Sequence, residues 1–221
     1  MEAYQISYII GRQLASAGVY FNQTGFYMEL KSHPDERVQK NIARLEKHLE
    51  NLSLSFVEQL RNVNNMTEAL DLSPPAVPVI PPQYASWASN IHQRVVERLA
   101  PDPKCNSLYL FGICVGEMLT CLSTICFLLE FHKKLNISYQ SKVKQCLAGM
   151  QTTMQKWTKL VGQHQEDEAM NGLARFWMRI NNEAEIYIEN FSYEDQYASE
   201  GRSLAASVEN EEQKMLQDLQ G

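Results

Sequence analysis

The sequence lacks the pattern that marks β-strands. No segment bounded by hairpin turns shows sustained alternation of apolar and polar residues, which a half-buried strand requires. Apolar residues instead recur every three or four positions along most of the chain, and this is the period of an amphipathic α-helix. The sequence therefore predicts an all-α protein.

An excess of basic residues is also missing. The 221 residues carry a net charge of −6, and 44% of them are apolar. A surface that tracks phosphates needs clustered lysine and arginine, so no nucleic-acid partner is expected. The acids are concentrated near the C-terminus, where residues 183–221 hold ten acidic and two basic side chains. We expect an acidic, partly disordered tail over 191–221.

Paired cysteines are absent from the sequence. None of the five cysteines forms a Cys-x-x-Cys motif, and their number is odd, which is typical of reduced thiols in a reducing compartment. The N-terminal residues lack the basic start, apolar stretch and cleavage site of a signal peptide, so we expect a cytoplasmic location. Three cysteines lie in one apolar segment and are expected to be inert core residues. They are Cys114, Cys121 and Cys126.

Catalytic and metal-binding motifs are missing as well. There is no Gly-x-Ser-x-Gly elbow, no Gly-rich loop followed by lysine, and no Glu-x-x-His pair of the di-iron type. His164 and Glu168 have the spacing of a chelating pair, but they fall where an acid is expected to cap a helix start. We therefore predict no catalytic residue, no cofactor and no metal site.

The helical period and the capping signals together predict about six helices. Ser32 and Pro34 mark the start of the best-defined helix. Pro101 and Pro103 are expected to separate two helices, with Asn106 or Ser107 capping the second. The predicted helices cover about residues 3–20, 35–63, 84–99, 107–134, 138–162 and 166–190.

A proline-rich segment provides the internal boundary of the chain. Five prolines occur within residues 73–82, and no helix or central strand can run through them. We therefore expect an N-terminal helical hairpin over 1–72, a linker over 73–83, and a C-terminal helical bundle over 84–190 that packs on the first part.

A weak internal repeat accompanies this division. Tyr8-Ile9-Ile10-Gly11 recurs as Tyr109-Leu110-Phe111-Gly112. Duplication of a helical hairpin, with the Pro-rich linker between the two copies, would produce this similarity, and so would chance in helical sequence. The predicted architecture is a bundle of about six helices, and the two related hairpins are one open interpretation of its origin.

Residues 108–129 form the most apolar segment of the sequence. Glu117 is the only charged residue among these 22, and the segment is long enough to span a membrane. An acid near the middle costs about 3 kcal/mol on insertion and offsets the apolar contribution. We favour a core helix surrounded by other helices, and a single membrane span remains the alternative.

Burial of Glu117 would require a partner. Arg12 is the one comparably isolated basic residue, so we predict a buried ion pair between them across two closely packed helices. Gly11 in the first helix, and Gly112 and Gly116 in the second, would allow the close packing. Two other interpretations stay open: Glu117 is a catalytic or ligand-anchoring carboxylate, or it lies exposed on a polar side of its helix.

Long amphipathic helices without a catalytic motif are typical of interaction modules. The sequence thus predicts a non-enzymatic helical module for protein interaction or assembly, with a protein partner or self-association. The first alternative is a bundle that binds an apolar or planar small molecule, or acts as an enzyme, around Glu117 and Arg12. The second is membrane association through residues 108–129.

Overall fold

α-Helices make up nearly all of the chain that the structure describes. In the computed structural model this part comprises residues 3–32, 34–78, 83–135, 139–163 and 171–219. It contains helices and no strands, which confirms the predicted all-α class. Its eight helices are α1 (Ala3–Ser16), α2 (Gly18–Lys31), α3 (Glu36–Ala69), α4 (Tyr84–Leu99), α5 (Pro103–Leu135), α6 (Gln140–Gly162), α7 (Asn171–Glu189) and α8 (Asp195–Asp218).

The number of helices in the described residues exceeds the six expected for two reasons. The first predicted helix continues beyond residue 20 and is divided at Ala17 into α1 and α2. The C-terminal region also adds α8, where a partly disordered tail was expected.

The apolar helix α5 lies at the centre of the fold. It packs against α1, α2, α3, α4, α6 and α8. Within the described part of the chain, α5 is the one helix long and apolar enough to cross a membrane, and 78% of its apolar window is buried against protein. Contacts with neighbouring helices therefore account for the apolar character of this segment.

α1 and α5 pack with their backbones in contact at two Tyr-x-x-Gly segments. A Cβ added to Gly112 would lie 2.1 Å from the carbonyl oxygen of Tyr8, and one added to Gly11 would lie 2.1 Å from that of Tyr109. No side chain can occupy such a space, so only glycine permits the contact. The crossing is reciprocal, because the glycine of each segment abuts the tyrosine carbonyl of the other.

We refer to the line of backbone contacts at these glycines as the glycine seam. It continues along both helices in the same direction. A Cβ on Gly116 would lie 2.5 Å from the carbonyl oxygen of Arg12. One turn further, the hydroxyl of Thr120 donates a hydrogen bond to the carbonyl of Ala15 at 3.2 Å. α1 and α5 are therefore parallel. The three glycines of the seam are those singled out in the sequence for close helix packing, Gly11, Gly112 and Gly116.

Side chains from both sides of the Pro-rich linker share two hydrophobic clusters. Leu45 of α3 belongs to the larger cluster around α5 to α8, and Phe56 of α3 joins Trp87 of α4 in the smaller one. The indole nitrogen of Trp87 donates a hydrogen bond to the carbonyl of Pro75 at 3.3 Å and thereby holds the linker. Residues 79–82 of the linker lie outside the described residues.

α8 replaces most of the disordered tail that the acidic composition suggested. Leu204, Val208 and Met215 are buried on one face of this helix. A Cβ on Gly201 would lie 2.7 Å from the sulfur of Cys126 in α5, so the two helices also approach closely. The structure describes a helix over Asp195–Asp218 within the tail that was expected to be partly disordered, because a few well-spaced apolar and small residues suffice to bury one helix face.

Asp102 begins α5 earlier than the proline pattern suggested. Pro103 occupies the first helical position, where its missing amide hydrogen is not needed. The Asp102 carboxylate accepts hydrogen bonds from the backbone amides of Lys104 at 3.0 Å and Cys105 at 3.1 Å. Burial alone would raise the pKa of Asp102, but these hydrogen bonds outweigh it and the pKa is lowered. Asp102 is therefore the N-cap, instead of Asn106 or Ser107.

We expect Asp102→Ala to lower the free energy of unfolding by about 1 kcal/mol at neutral pH, because two amides lose their acceptor. A lowered folded-state pKa means that this contribution is present above the usual value of 3.8 and is lost as the pH falls through the folded value. Urea unfolding followed by circular dichroism measures the loss. Asp102→Asn keeps an acceptor and is the control, so equal losses in both variants would contradict the capping role.

The glycine seam leads to a second prediction, a larger loss in the free energy of unfolding. Gly112→Ala should lower the free energy of unfolding by about 3 kcal/mol, since the added methyl group forces α1 away from α5. Gly25→Ala is the matched control, because nothing lies within 4 Å of its added Cβ. That variant should gain up to about 1 kcal/mol from helix propensity. Similar unfolding midpoints for the two variants would show that the seam does not constrain the fold.

Candidate functional site

The structure does not bring Arg12 and Glu117 together, so the predicted buried ion pair is wrong. The Nε of Arg12 donates to Oε1 of Glu212 in α8 at 3.1 Å. Glu117 instead pairs with the Nζ of Lys156 in α6 at 3.0 Å. Consecutive helical residues are rotated by about 100°. Because the glycines that precede Arg12 and Glu117 occupy the seam, both charged side chains are turned away from it.

Glu117 occupies a polar position between α5 and α6. Its side chain is 36% exposed, and it also accepts a hydrogen bond from the hydroxyl of Thr153 at 3.1 Å. A partly exposed pair of this kind contributes at most about 1 kcal/mol to stability. Of the three interpretations of Glu117, exposure on a polar side of its helix agrees with this geometry.

Arg12 belongs to a hydrogen-bonded cluster that joins α1 to α8. The hydroxyl of the fully buried Tyr8 donates to Oε1 of Glu212 at 2.7 Å, and Arg12 donates to the same oxygen. Arg12 also donates to the hydroxyl of Ser16 at 2.8 Å. Burial raises the pKa of Tyr8 well above its usual value, and the nearby Glu212 carboxylate raises it further. Tyr8 therefore stays protonated and serves as a hydrogen-bond donor.

An open groove of about 620 Å³ lies beside this cluster. Its floor is α5, and its walls are α2 and α8, so we refer to it as the α5 groove. Residues 119–127 of the floor span about 12 Å along the helix axis. On the α8 wall, Ala205 and Ala206 have small side chains, so this wall rises little above the floor. The apolar side chains of the floor are Leu119, Leu122, Cys126 and Phe127.

One ion pair lies at each end of the α5 groove. At one end the Nη2 of Arg12 lies 3.8 Å from the carboxylate of Glu209. At the other end the guanidinium of Arg202 pairs with Glu130 of α5. Each arginine is thus neutralised by a glutamate, so the groove presents donors and acceptors at its ends without a strong net charge.

His48 of α3 completes the mouth of the α5 groove. Its ring stacks on Phe127 with 5.7 Å between the ring centroids. Its Nε2 lies 2.6 Å from the side-chain oxygen of Gln23, whose amide nitrogen is in turn 3.3 Å from the hydroxyl of Ser123. This chain of contacts fixes the α2 wall relative to the floor.

Arg12 is the one groove residue that the sequence singled out as a candidate for binding. Arg202, Glu209 and Glu212 were missed because their region was expected to be an acidic, partly disordered tail without a defined place in the bundle. A usable signal was nevertheless present in α8, where Ala198, Gly201 and Ala205 follow one another at helical spacing and favour close packing.

The cysteines of α5 differ in their surroundings. Cys114 and Cys126 are buried, and burial raises their pKa values to about 12 and about 11. Both agree with the expected inert core role. Cys121 is only half-buried and lines a cavity together with Cys146 of α6. Interaction with the Cys146 thiol and burial raise the pKa of Cys121, which agrees with the expected inert thiol, although the residue is not fully buried in the core.

No group of three or more metal-ligating side chains occurs among the described residues. His164 and Glu168, the one chelating pair considered from the sequence, lie outside them. The α5 groove contains Cys126 and His48, but the sulfur of Cys126 donates to the backbone of α8 and His48 is engaged by Gln23.

The Arg12 cluster yields a prediction about the α8 wall. Glu212→Ala should lower the free energy of unfolding by about 2–3 kcal/mol, because it leaves the buried Tyr8 hydroxyl unpaired and removes a charged hydrogen bond. Glu209→Ala is the matched control on the same helix, since that side chain is 58% exposed and its arginine contact is long. It should change stability by less than about 0.5 kcal/mol. Losses of equal size would contradict a special role for Glu212.

Comparison with known proteins gives no function for the chain. No protein-family model, no curated protein and no solved structure matches it. The α5 groove and the residues around it are therefore the basis for a functional proposal.

Proposed function

We propose that this protein is a non-enzymatic interaction module whose α5 groove binds an apolar segment of a partner protein. The observation that carries the proposal is the apolar floor between two ion pairs. A volume of about 620 Å³ lies within the usual range for binding sites. Apolar side chains of a partner would gain from burial against Val19, Ala205 and Ala206, which line the groove and keep exposed surface.

The charges around the groove favour a polypeptide that is locally uncharged. Arg12 and Arg202 are each paired with a glutamate, so a strongly charged ligand would compete with an existing ion pair. The amide groups of a peptide can instead use both the donors and the acceptors at the ends of the groove. A floor of about 12 Å accommodates about four extended residues, two of which face the floor.

The other exposed apolar side chains support self-association less well. The large apolar side chains that are exposed among the described residues are Met28 on α2, Leu54 and Val57 on α3, and Met178 and Ile186 on α7. Single apolar residues of this kind are common on protein surfaces. The α5 groove is the better candidate because its apolar residues are contiguous.

A second candidate function is the binding of an apolar or planar small molecule. The volume of the groove and the position of Arg12 at its edge support this candidate. Glu117 lies outside the groove and faces α6, so a site shared by Glu117 and Arg12 is not supported. Membrane association through α5 is supported less, since 78% of its apolar window is already covered by protein.

The origin of the bundle from two related hairpins joined by the Pro-rich linker also remains a proposal. The reciprocal contact between Tyr8-Ile9-Ile10-Gly11 and Tyr109-Leu110-Phe111-Gly112 supports it. Equivalent residues of two copies would be expected to meet in this way across a pseudo-twofold axis.

The groove is tested with a displayed library of random peptides selected on the immobilised full chain. We expect enrichment of peptides that carry two apolar residues within about five positions. Ala206→Trp should weaken the binding of these peptides by about tenfold or more, because Ala206 is exposed on the groove wall and an indole would fill the space above the floor. Fluorescence anisotropy measures each dissociation constant.

Ser203→Trp is the matched control, since Ser203 is also exposed on α8 but lines the opposite side, beside Glu183 and Tyr187 of α7. Peptides that bind wild type and both variants equally would place the site elsewhere. A selection without enrichment would overturn the peptide proposal. A small molecule that copurifies with the wild type in native mass spectra, and is lost from the Ala206→Trp variant, would replace it with the second candidate.

A further inference from the structure

Two of the five cysteines differ from the rest in exposure and in position. Cys121 of α5 and Cys146 of α6 are half-buried, and both line one cavity between the two helices. The remaining three are buried. They are Cys105, Cys114 and Cys126. The two cysteines that share a cavity are thus also the two with access to solvent.

This cavity is separate from the α5 groove and gives small molecules access to the pair. It has a volume of about 310 Å³ and lies between α2, α5 and α6. Cys121 and Cys146 both line it, and Thr124, Lys142 and Gln145 contribute polar groups to the same wall. A small polar oxidant such as hydrogen peroxide can therefore reach both sulfur atoms without unfolding of the bundle.

The local backbone permits the two sulfur atoms to approach each other. Gly149 lies on α6 one turn after Cys146, and a Cβ at this position would lie 3.1 Å from the sulfur of Cys121. The glycine therefore lets α6 come close to α5 at the thiol pair. Because the sulfur of Cys121 packs against α6 one turn from Cys146, and both residues line one cavity, we expect a disulfide to form by side-chain adjustment without a large movement of the helices.

The interaction between the two thiols makes them chemically unequal. It lowers the pKa of Cys146 against the opposing effect of burial, whereas it raises the pKa of Cys121 together with burial. The thiolate is the reactive form of cysteine. Cys146 is thus suited to be the attacking group, and Cys121 is suited to keep its proton and react second.

We propose that Cys121 and Cys146 are a dithiol site that hydrogen peroxide oxidises to an intramolecular disulfide. The Cys146 thiolate attacks one peroxide oxygen, so that an S–O bond forms, the O–O bond breaks and hydroxide leaves. The Cys121 sulfur then attacks the sulfur of the resulting sulfenic acid. The S–S bond forms, the S–O bond breaks, and the hydroxyl leaves as water with the Cys121 proton.

The overall step is balanced and reversible. Two thiols lose two electrons and two protons, and one hydrogen peroxide is reduced to two water molecules. A dithiol reductant reverses the change by thiol–disulfide exchange. The disulfide would join α5 to α6, so it adds a cross-link on the side of α5 that carries Glu117. This proposal does not depend on the function of the α5 groove.

The test treats the reduced full chain with hydrogen peroxide and maps its peptides without reduction. We expect a peptide that joins Cys121 to Cys146, in roughly tenfold excess over any other cysteine pair. Two of the five thiols should become resistant to alkylation. Treatment with dithiothreitol should make both thiols reactive towards the alkylating reagent again. A disulfide between other cysteines, or retention of five reactive thiols, would overturn the proposal.

Single variants separate the two roles. Cys121→Ser should accumulate a sulfenic acid on Cys146 that dimedone traps, whereas Cys146→Ser should give no dimedone adduct on Cys121 above the level of the buried cysteines. Cys126→Ser is the matched control on α5 and should still form the disulfide. Circular dichroism verifies that each variant is folded. Equal dimedone labelling of Cys121 and Cys146 in the two variants would overturn the assigned order of reaction.

Discussion

Direct contact between the backbones of α1 and α5 is the constraint on which the rest of the structure depends. Gly11 and Gly112 each stand where any side chain would collide with a carbonyl oxygen of the opposite helix. The two helices can therefore pack in one rotation and one register only. That rotation directs the next residue of each helix away from the seam, Arg12 towards α8 and Glu117 towards α6.

Both candidate sites follow from this rotation of α5. Cys121 lies one turn after Glu117, so both face α6, where Glu117 pairs with Lys156 and Cys121 shares a cavity with Cys146. A different side of α5 remains between α2 and α8 and becomes the floor of the groove. Arg12 lies at the edge of the groove, and its hydrogen bond to Glu212 joins α1 to the α8 wall. A peptide site and a redox site can thus lie on one helix without sharing their reacting groups.

Much of the fold could be predicted from local sequence patterns, and much of the site could not. The spacing of apolar residues located the long helix α3 and the central helix α5, because helix formation depends on neighbours within one or two turns. The acidic composition of the C-terminal region was misleading, since composition does not show that Leu204 and Val208 share one face. Asp102 was also misinterpreted, because a proline after it can begin a helix as well as end one.

The sequence by itself determined the helical class, the apolar character of α5 and the glycines that let helices approach. Only the tertiary structure decided which charges meet and which cysteines line the same cavity. Arg12 and Glu212 are 200 residues apart, and their contact depends on the rotation and position of three helices. A local pattern specifies which side of a helix is apolar, whereas the partner of each polar group is set by the packing of the whole bundle.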